Sequence, residues 1–158
     1  MLRISKLTDY GTVVLACLAS APDRLLTATE VAERTRLAAP TVSKLLKCFH
    51  RAGLVMSTRG AHGGYQLARA SKSISAASII DAVEGPVAIT ECSGKHSACD
   101  IESVCRTGGA WQRINGAIRR SLEDITLAQL AGQEAVALWR PELTGAMRLS
   151  PGRQTGRA

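Results

Sequence analysis

Apolar residues recur at three- and four-residue steps along much of the chain, and each run that does so predicts a helix. Leu7, Tyr10, Val14 and Leu18 mark a first helix that Thr8 is placed to cap and that stops at Ser20-Ala21-Pro22. A second starts near Thr29, with Val31, Ala32 and Thr35 inward and Glu30, Glu33 and Arg34 outward. After a break at Leu37-Ala38-Ala39, Pro40 is expected at the first helical position of a third. Val42, Leu45, Leu46 and Phe49 form its core face, and Gly53 stands where a glycine ends a helix.

Leu54-Val55-Met56 and Tyr65-Gln66-Leu67 then predict two strands joined by the glycine-rich turn Arg59–Gly64. Helix, turn, helix and hairpin in that order make a winged helix-turn-helix. A further helix is expected around Ser75 to Val83, closed by Gly85-Pro86. Late in the chain Trp111, Ile114, Ile118, Leu122 and Ile125 recur as a narrow seam, which reads as a dimerisation stripe. The expected fold is mainly α with a small β-hairpin, a winged helix-turn-helix domain plus a long C-terminal dimerisation helix. Its parts are the DNA-binding domain (1–85), a cysteine-containing loop (86–109), the dimerisation helix with the start of a C-terminal helix (110–131), and a mobile tail (132–158).

The length of 158 residues suits about one domain, and with only 3% aromatic residues the core must be aliphatic. A formal charge of +7 makes a polyanion the expected partner, and the charge is one-sided. Residues 1–72 carry eleven Lys/Arg against four Asp/Glu, whereas residues 73–130 carry five against seven. That is the footprint of a nucleic-acid module joined to a segment with another task. Charged or polar residues interrupt every apolar run before the ~20 residues a membrane helix needs, and the N-terminus lacks a signal-peptide core. A cytoplasmic protein is expected, with no membrane partner and no small-molecule substrate.

On the third helix the side chains opposite the core face are Thr41, Ser43, Lys44 and Lys47, with Arg51 near its end. Hydroxyls and cations there are suited to base edges and phosphates in the major groove. Arg59, at the tip of the hairpin beside glycines, is suited to the neighbouring minor groove. The same residues also suit a plain solvated helix face, and the order of elements is what favours DNA.

Cys92, Cys99 and Cys105 form C-x6-C-x5-C in a loop of small and polar residues, while Cys17 and Cys48 fall inside helical patterns as small fillers. Three thiolates at these intervals suit an iron-sulfur cluster, since zinc sites more often contain a tight C-x2-4-C pair. His96, between the first two, keeps a Cys3His zinc site in competition. Catalysis is not expected: there is no C-x-x-C pair, and His50, His62 and His96 form no evident triad.

The opening RISKLTDYG, the segment TATEVAERTRLAAPTVSKLLKCFHRAGLV, the hairpin STRGAHGGYQLAR, the cysteine triplet and the closing ITLAQLAG together resemble the iron-sulfur-responsive winged-helix transcription repressors of the IscR/NsrR type. The likeness covers about residues 1–132 and is greatest to the branch that regulates Suf cluster assembly. It implies a homodimeric repressor of cluster-assembly genes that binds an imperfect palindrome in double-stranded DNA. It also implies that the repressor senses cluster status, redox stress or nitric oxide, with a two-iron cluster ahead of a four-iron one. Two departures matter. Where the IscR-type pattern completes the ligands with a His three residues after the third Cys, this chain has Gly108, and the first Cys interval is one residue longer than usual. The NsrR-type pattern takes the fourth ligand from an N-terminal Asp of the partner subunit. Asp9 matches that place, although an acid there also suits a helix N-terminus.

Overall fold

The computed structural model describes residues 3–90, 93 and 105–135. Its elements are α1 (Lys6–Ala19), α2 (Ala28–Thr35), α3 (Ala39–Arg51), β1 (Val55–Thr58), β2 (Gly64–Leu67), a 3-10 turn (Ser71–Ser73), α4 (Ala76–Val83), α5 (Gly108–Asp124) and α6 (Leu127–Leu130). The fold is mostly helical with one two-stranded antiparallel sheet, in which Val55 faces Leu67 and Thr58 faces Gly64.

The core gathers around α1, which packs against α2, α3, α4, α6 and β2. Val14, Leu15 and Leu18 of α1 meet Val42, Leu45, Leu46 and Phe49 of α3, with Leu26, Val31, Ile74 and Ile79 closing the sides. Fully burying each such side chain is worth roughly 1.5–3 kcal/mol. Gly11 lets α1 and α3 approach, for a Cβ there would sit 2.8 Å from the Phe49 ring.

Several boundaries differ from the sequence expectation. Ser5, not Thr8, caps α1, accepting the Thr8 N–H at 3.2 Å. Thr8 is buried three residues into the helix, and its hydroxyl donates to Glu84 at the end of α4, a partner 76 positions away that no local pattern announces. Helix α2 begins one residue early because Thr27 and Glu30 form a reciprocal capping box. Pro40 is the second residue of α3 rather than the first. Ile125 lies just past the end of α5 rather than within it: it is extended, at φ −91° and ψ 123°, and its carbonyl accepts the Ala76 N–H at 2.8 Å. That bridge returns the chain to the core, where Leu127 of α6 is fully buried.

The wing is docked rather than pendant. The Leu26 N–H donates to the Tyr65 carbonyl at 2.9 Å, and the Tyr65 N–H donates back at 2.8 Å. The paired glycines of the turn serve this geometry. A Cβ on Gly63 would fall 2.3 Å from the Thr58 carbonyl oxygen, and one on Gly64 would fall 2.9 Å from the Leu26 backbone.

Substituting Gly64→Ala is therefore expected to cost about 1–3 kcal/mol, because backbone rather than a flexible side chain must give way. A lowered thermal midpoint checks this, and an unchanged one would mean that the wing does not rest on Leu26. Glu84 accepts hydrogen bonds from Thr8 and Ser5, which hold its carboxyl below the usual carboxylate range. Its contribution is complete above the unfolded-state pKa of about 4.3 and is lost as pH falls through the lower native value. The stability deficit of Glu84→Ala should accordingly be full at neutral pH and shrink under acid, as measured by denaturant titration at both.

Candidate nucleic-acid interface and metal site

The apolar stripe of α3 fixes which of its side chains face outward. Lys44, Lys47, His50 and Arg51 are exposed, and Thr41 and Ser43 are half-buried. Between the C-terminal half of α3 and the wing lies an open groove of about 470 Å³ lined by Lys47, His50, Arg51, Arg59, Tyr65 and the start of α2. No carboxylate is among the described residues lining it. The nearby Glu30 is taken up by the Thr27 cap and by Arg24. Three cations, Lys47, Arg51 and Arg59, and the His50 imidazole thus share one concavity, the electrostatic requirement for a polyanion. Thr41, Ser43 and Lys44 lie outside the groove, on the N-terminal part of α3.

His50 was not singled out from the sequence. It lies three residues beyond Lys47, and that helical step was the available signal. The fillers are as expected: Cys17 and Cys48 are half-buried, and burial pushes the Cys17 thiol up while Arg34 opposes this.

Of the proposed metal ligands, Cys92, Cys99 and His96 lie outside the described residues. Cys105 precedes α5 by two residues before its N-cap, Thr107, with Sγ 3.2 Å from the Thr107 hydroxyl oxygen. Among the described residues, Thr107 supplies no side-chain cap, the first turn of α5 holds no acid, and no atom lies within 4 Å of a Cβ placed on Gly108 or Gly109. Cys105 thus stands beside the positive end of a 17-residue helix. No group of three or more metal-binding side chains is assembled among the described residues.

Asp9 is exposed in the first turn of α1, and its carboxylate makes no hydrogen bond or ion pair among the described residues. Ser5 performs the capping. Asp9 lies at a largely apolar groove of about 740 Å³ shared by Ile4, Ile80, Leu122, Ile125 and Leu130. Of the seam, Trp111 and Ile114 are 44% and 45% exposed, whereas Ile118 and Leu122 are partly covered.

Sequence reasoning also missed Asn115. It is the one buried residue of α5, and its amide bonds the segment that follows α4.

A reading helix and a docked wing bordering one basic groove define a winged helix-turn-helix transcriptional regulator. The family model described as Rrf2, iron-dependent transcriptional regulator, matches residues 4–133. Protein rrf2 of Nitratidesulfovibrio vulgaris is 31% identical over 130 residues, 82% of this chain and 87% of that protein. The solved structure of CymR, the global cysteine regulator of B. subtilis, is similar with a TM-score of 0.65 at 29% identity, covering 85% of this chain and 99% of that one. The IscR structure from T. potens is similar at 0.63 and 29%, covering 88% and 93%. The chain belongs to the Rrf2 family of transcriptional regulators, and the protein is a regulator rather than an enzyme. No helix among the described residues is long and apolar enough to cross a membrane.

Replacing Lys47 or Arg59 by Ala is expected to weaken binding to duplex DNA, each lost phosphate contact lowering the slope of log affinity against log salt by about one. Wild-type affinity and slope in both variants would remove the groove from the interface.

Proposed function

We propose that this protein is a homodimeric repressor that reads an imperfect palindrome and responds to an iron-sulfur cluster, controlling genes of Suf-type cluster assembly. The observation that carries the reading is the carboxylate-free basic groove between α3 and the wing, since a surface of that charge beside a helix of major-groove size suits duplex DNA. Lys47, Arg51 and Arg59 serve the phosphates or the minor groove, and Thr41, Ser43 and Lys44 serve base edges near the start of α3. Two such heads must match half-sites about 34 Å apart, which requires a dimer. The exposed Trp111 and Ile114, continued by Ile118, Leu122 and Ile125, support the view that the late seam joins the subunits.

The cluster is assigned to Cys92, Cys99 and Cys105, with Asp9 of the partner subunit as the fourth ligand. Supporting this are the iron-dependent description of the family, the likeness to an IscR, and the uncapped, acid-free start of α5 beside Cys105. The Asp9 carboxylate, which makes no hydrogen bond or ion pair among the described residues, offers an anionic oxygen to complete a thiolate set. When bound, the group supplies an iron centre whose oxidation or loss reports redox stress, nitric oxide or cluster supply. The chain's own residues supply anionic ligands, a helix terminus that favours them, and a reading surface on the same body.

Anaerobic purification with iron and acid-labile sulfide analysis tests the reading. Expected are brown protein with iron and sulfide in equal amounts, and an altered absorption spectrum in Asp9→Ala with an unchanged apo melting temperature. Colourless protein with stoichiometric zinc would replace the cluster by a Cys3His96 zinc site. Protein that holds no metal at all would leave only an operator-binding regulator.

A further inference from the structure

Asn115 is the one buried residue of an otherwise exposed or half-covered helix. Burying an amide costs about 1–3 kcal/mol unless its polar atoms are satisfied, so a residue serving only to pack α5 would be apolar. Here both ends of the amide are used, and all on one stretch of chain. The Ile89 N–H donates to Asn115 Oδ1 at 3.2 Å, and Asn115 Nδ2 donates to the Val87 carbonyl at 3.2 Å and to the Ser93 carbonyl at 3.3 Å. A turn closes the same stretch, with the Ser93 N–H on the Thr90 carbonyl at 2.9 Å. In sequence these anchored residues flank Cys92.

The other end of the cysteine segment is tied to the same helix covalently, since Cys105 runs through Thr107 into the first turn of α5. Asn115 lies seven residues up from Gly108, roughly 10 Å along the axis at 1.5 Å per residue. Helix α5 thus acts as a rigid ruler fixing the separation of the two ends of the segment. Thiolates spread over a chain that long must lose conformational freedom to converge on one centre, and a fixed span removes part of that loss beforehand.

We propose that Asn115 is a positioning residue for the cysteine ligands: its amide holds Val87, Ile89 and Ser93 on α5, and these anchors flank Cys92 in sequence while Cys105 leads into the start of the same helix. The inference rests on the cysteine-site reading given above. Loss of the clamp should leave the reading domain intact, since Asn115 is not a member of the apolar core around α1 and α3 and its three hydrogen bonds all go to the segment after α4.

The test compares full-length wild type with Asn115→Leu and Asn115→Asp. The leucine removes all three bonds, and the aspartate keeps the acceptor for the Ile89 N–H while losing both donors. Amide hydrogen exchange is measured on the metal-free proteins, and iron release to a chelator on the anaerobically loaded ones. Expected are faster exchange at Ile89 in Asn115→Leu but not in Asn115→Asp, and iron release about 10-fold faster in the leucine variant, with the aspartate between. The melting temperature of the apo reading domain and its non-specific DNA affinity should stay at wild-type values. Unchanged exchange at Ile89 would show that the clamp is absent, and lost protection with wild-type iron release would show that it does not serve the ligands. Either result overturns the inference while leaving the cluster reading standing. Wild-type protein that takes up no iron and sulfide overturns that reading and this inference together. Should the leucine variant fail to fold, iron release from Asn115→Asp decides.

Discussion

Helix α4 is clasped at both ends, and that clasp joins the long helix to the reading body. At its start the Ala76 N–H is held by the Ile125 carbonyl. Near its end Asp81 receives both terminal nitrogens of Arg119, at 2.8 and 3.2 Å, while Nε of the same guanidinium holds Glu123 at 2.9 Å. One residue after α4, Glu84 takes the Ser5 N–H and the Thr8 hydroxyl at the start of α1. A half-exposed ion pair is worth only about 0.2–1 kcal/mol, so the importance of the Arg119 fork is geometric: two parallel bonds fix an orientation as well as a distance. A shift of α5 against α4 has α1, and through it the core behind α3, as its next contact.

The reading surface depends on a second constraint, the seating of the wing. The Leu26–Tyr65 bridge, together with the packing of β2 on α1 and β1 on α3, fixes the position of Arg59 relative to Lys47 and Arg51. Two adjacent glycines answer two separate steric demands there, one from the hairpin's own crossing and one from the strand's approach to Leu26. Such a groove is preformed, which spares duplex DNA the cost of ordering it.

Much of this was legible in the sequence because its causes are local. The four-residue core face of α3, the glycine at φ +70° that follows it and the hairpin signature depend on neighbours within a few positions. What the sequence did not disclose depends on distant partners. Thr8 looks like a cap, and only Glu84 explains why it is buried instead. Ile125 continues a helical period by spacing, yet the Thr126 capping box begins a new helix and pulls Ile125 into a bridge with α4. Asn115 interrupts an apolar seam as if by accident, and its bonds to Val87, Ile89 and Ser93 join positions 22 to 28 residues away. The candidate metal site was legible as a triplet of residue types, and Cys105 is the thiol of that set among the described residues.

The central claim is that the state of the cysteine site and the affinity for DNA are one coupled equilibrium, transmitted through α5 and α4. The direct measurement is the affinity of one anaerobic sample for its operator, selected from random duplexes, before and after the cluster is removed, at fixed salt. The account requires a change of about 5- to 150-fold, the range of ordinary coupling between two sites. Equal affinities in protein shown to have gained and lost its iron would contradict it.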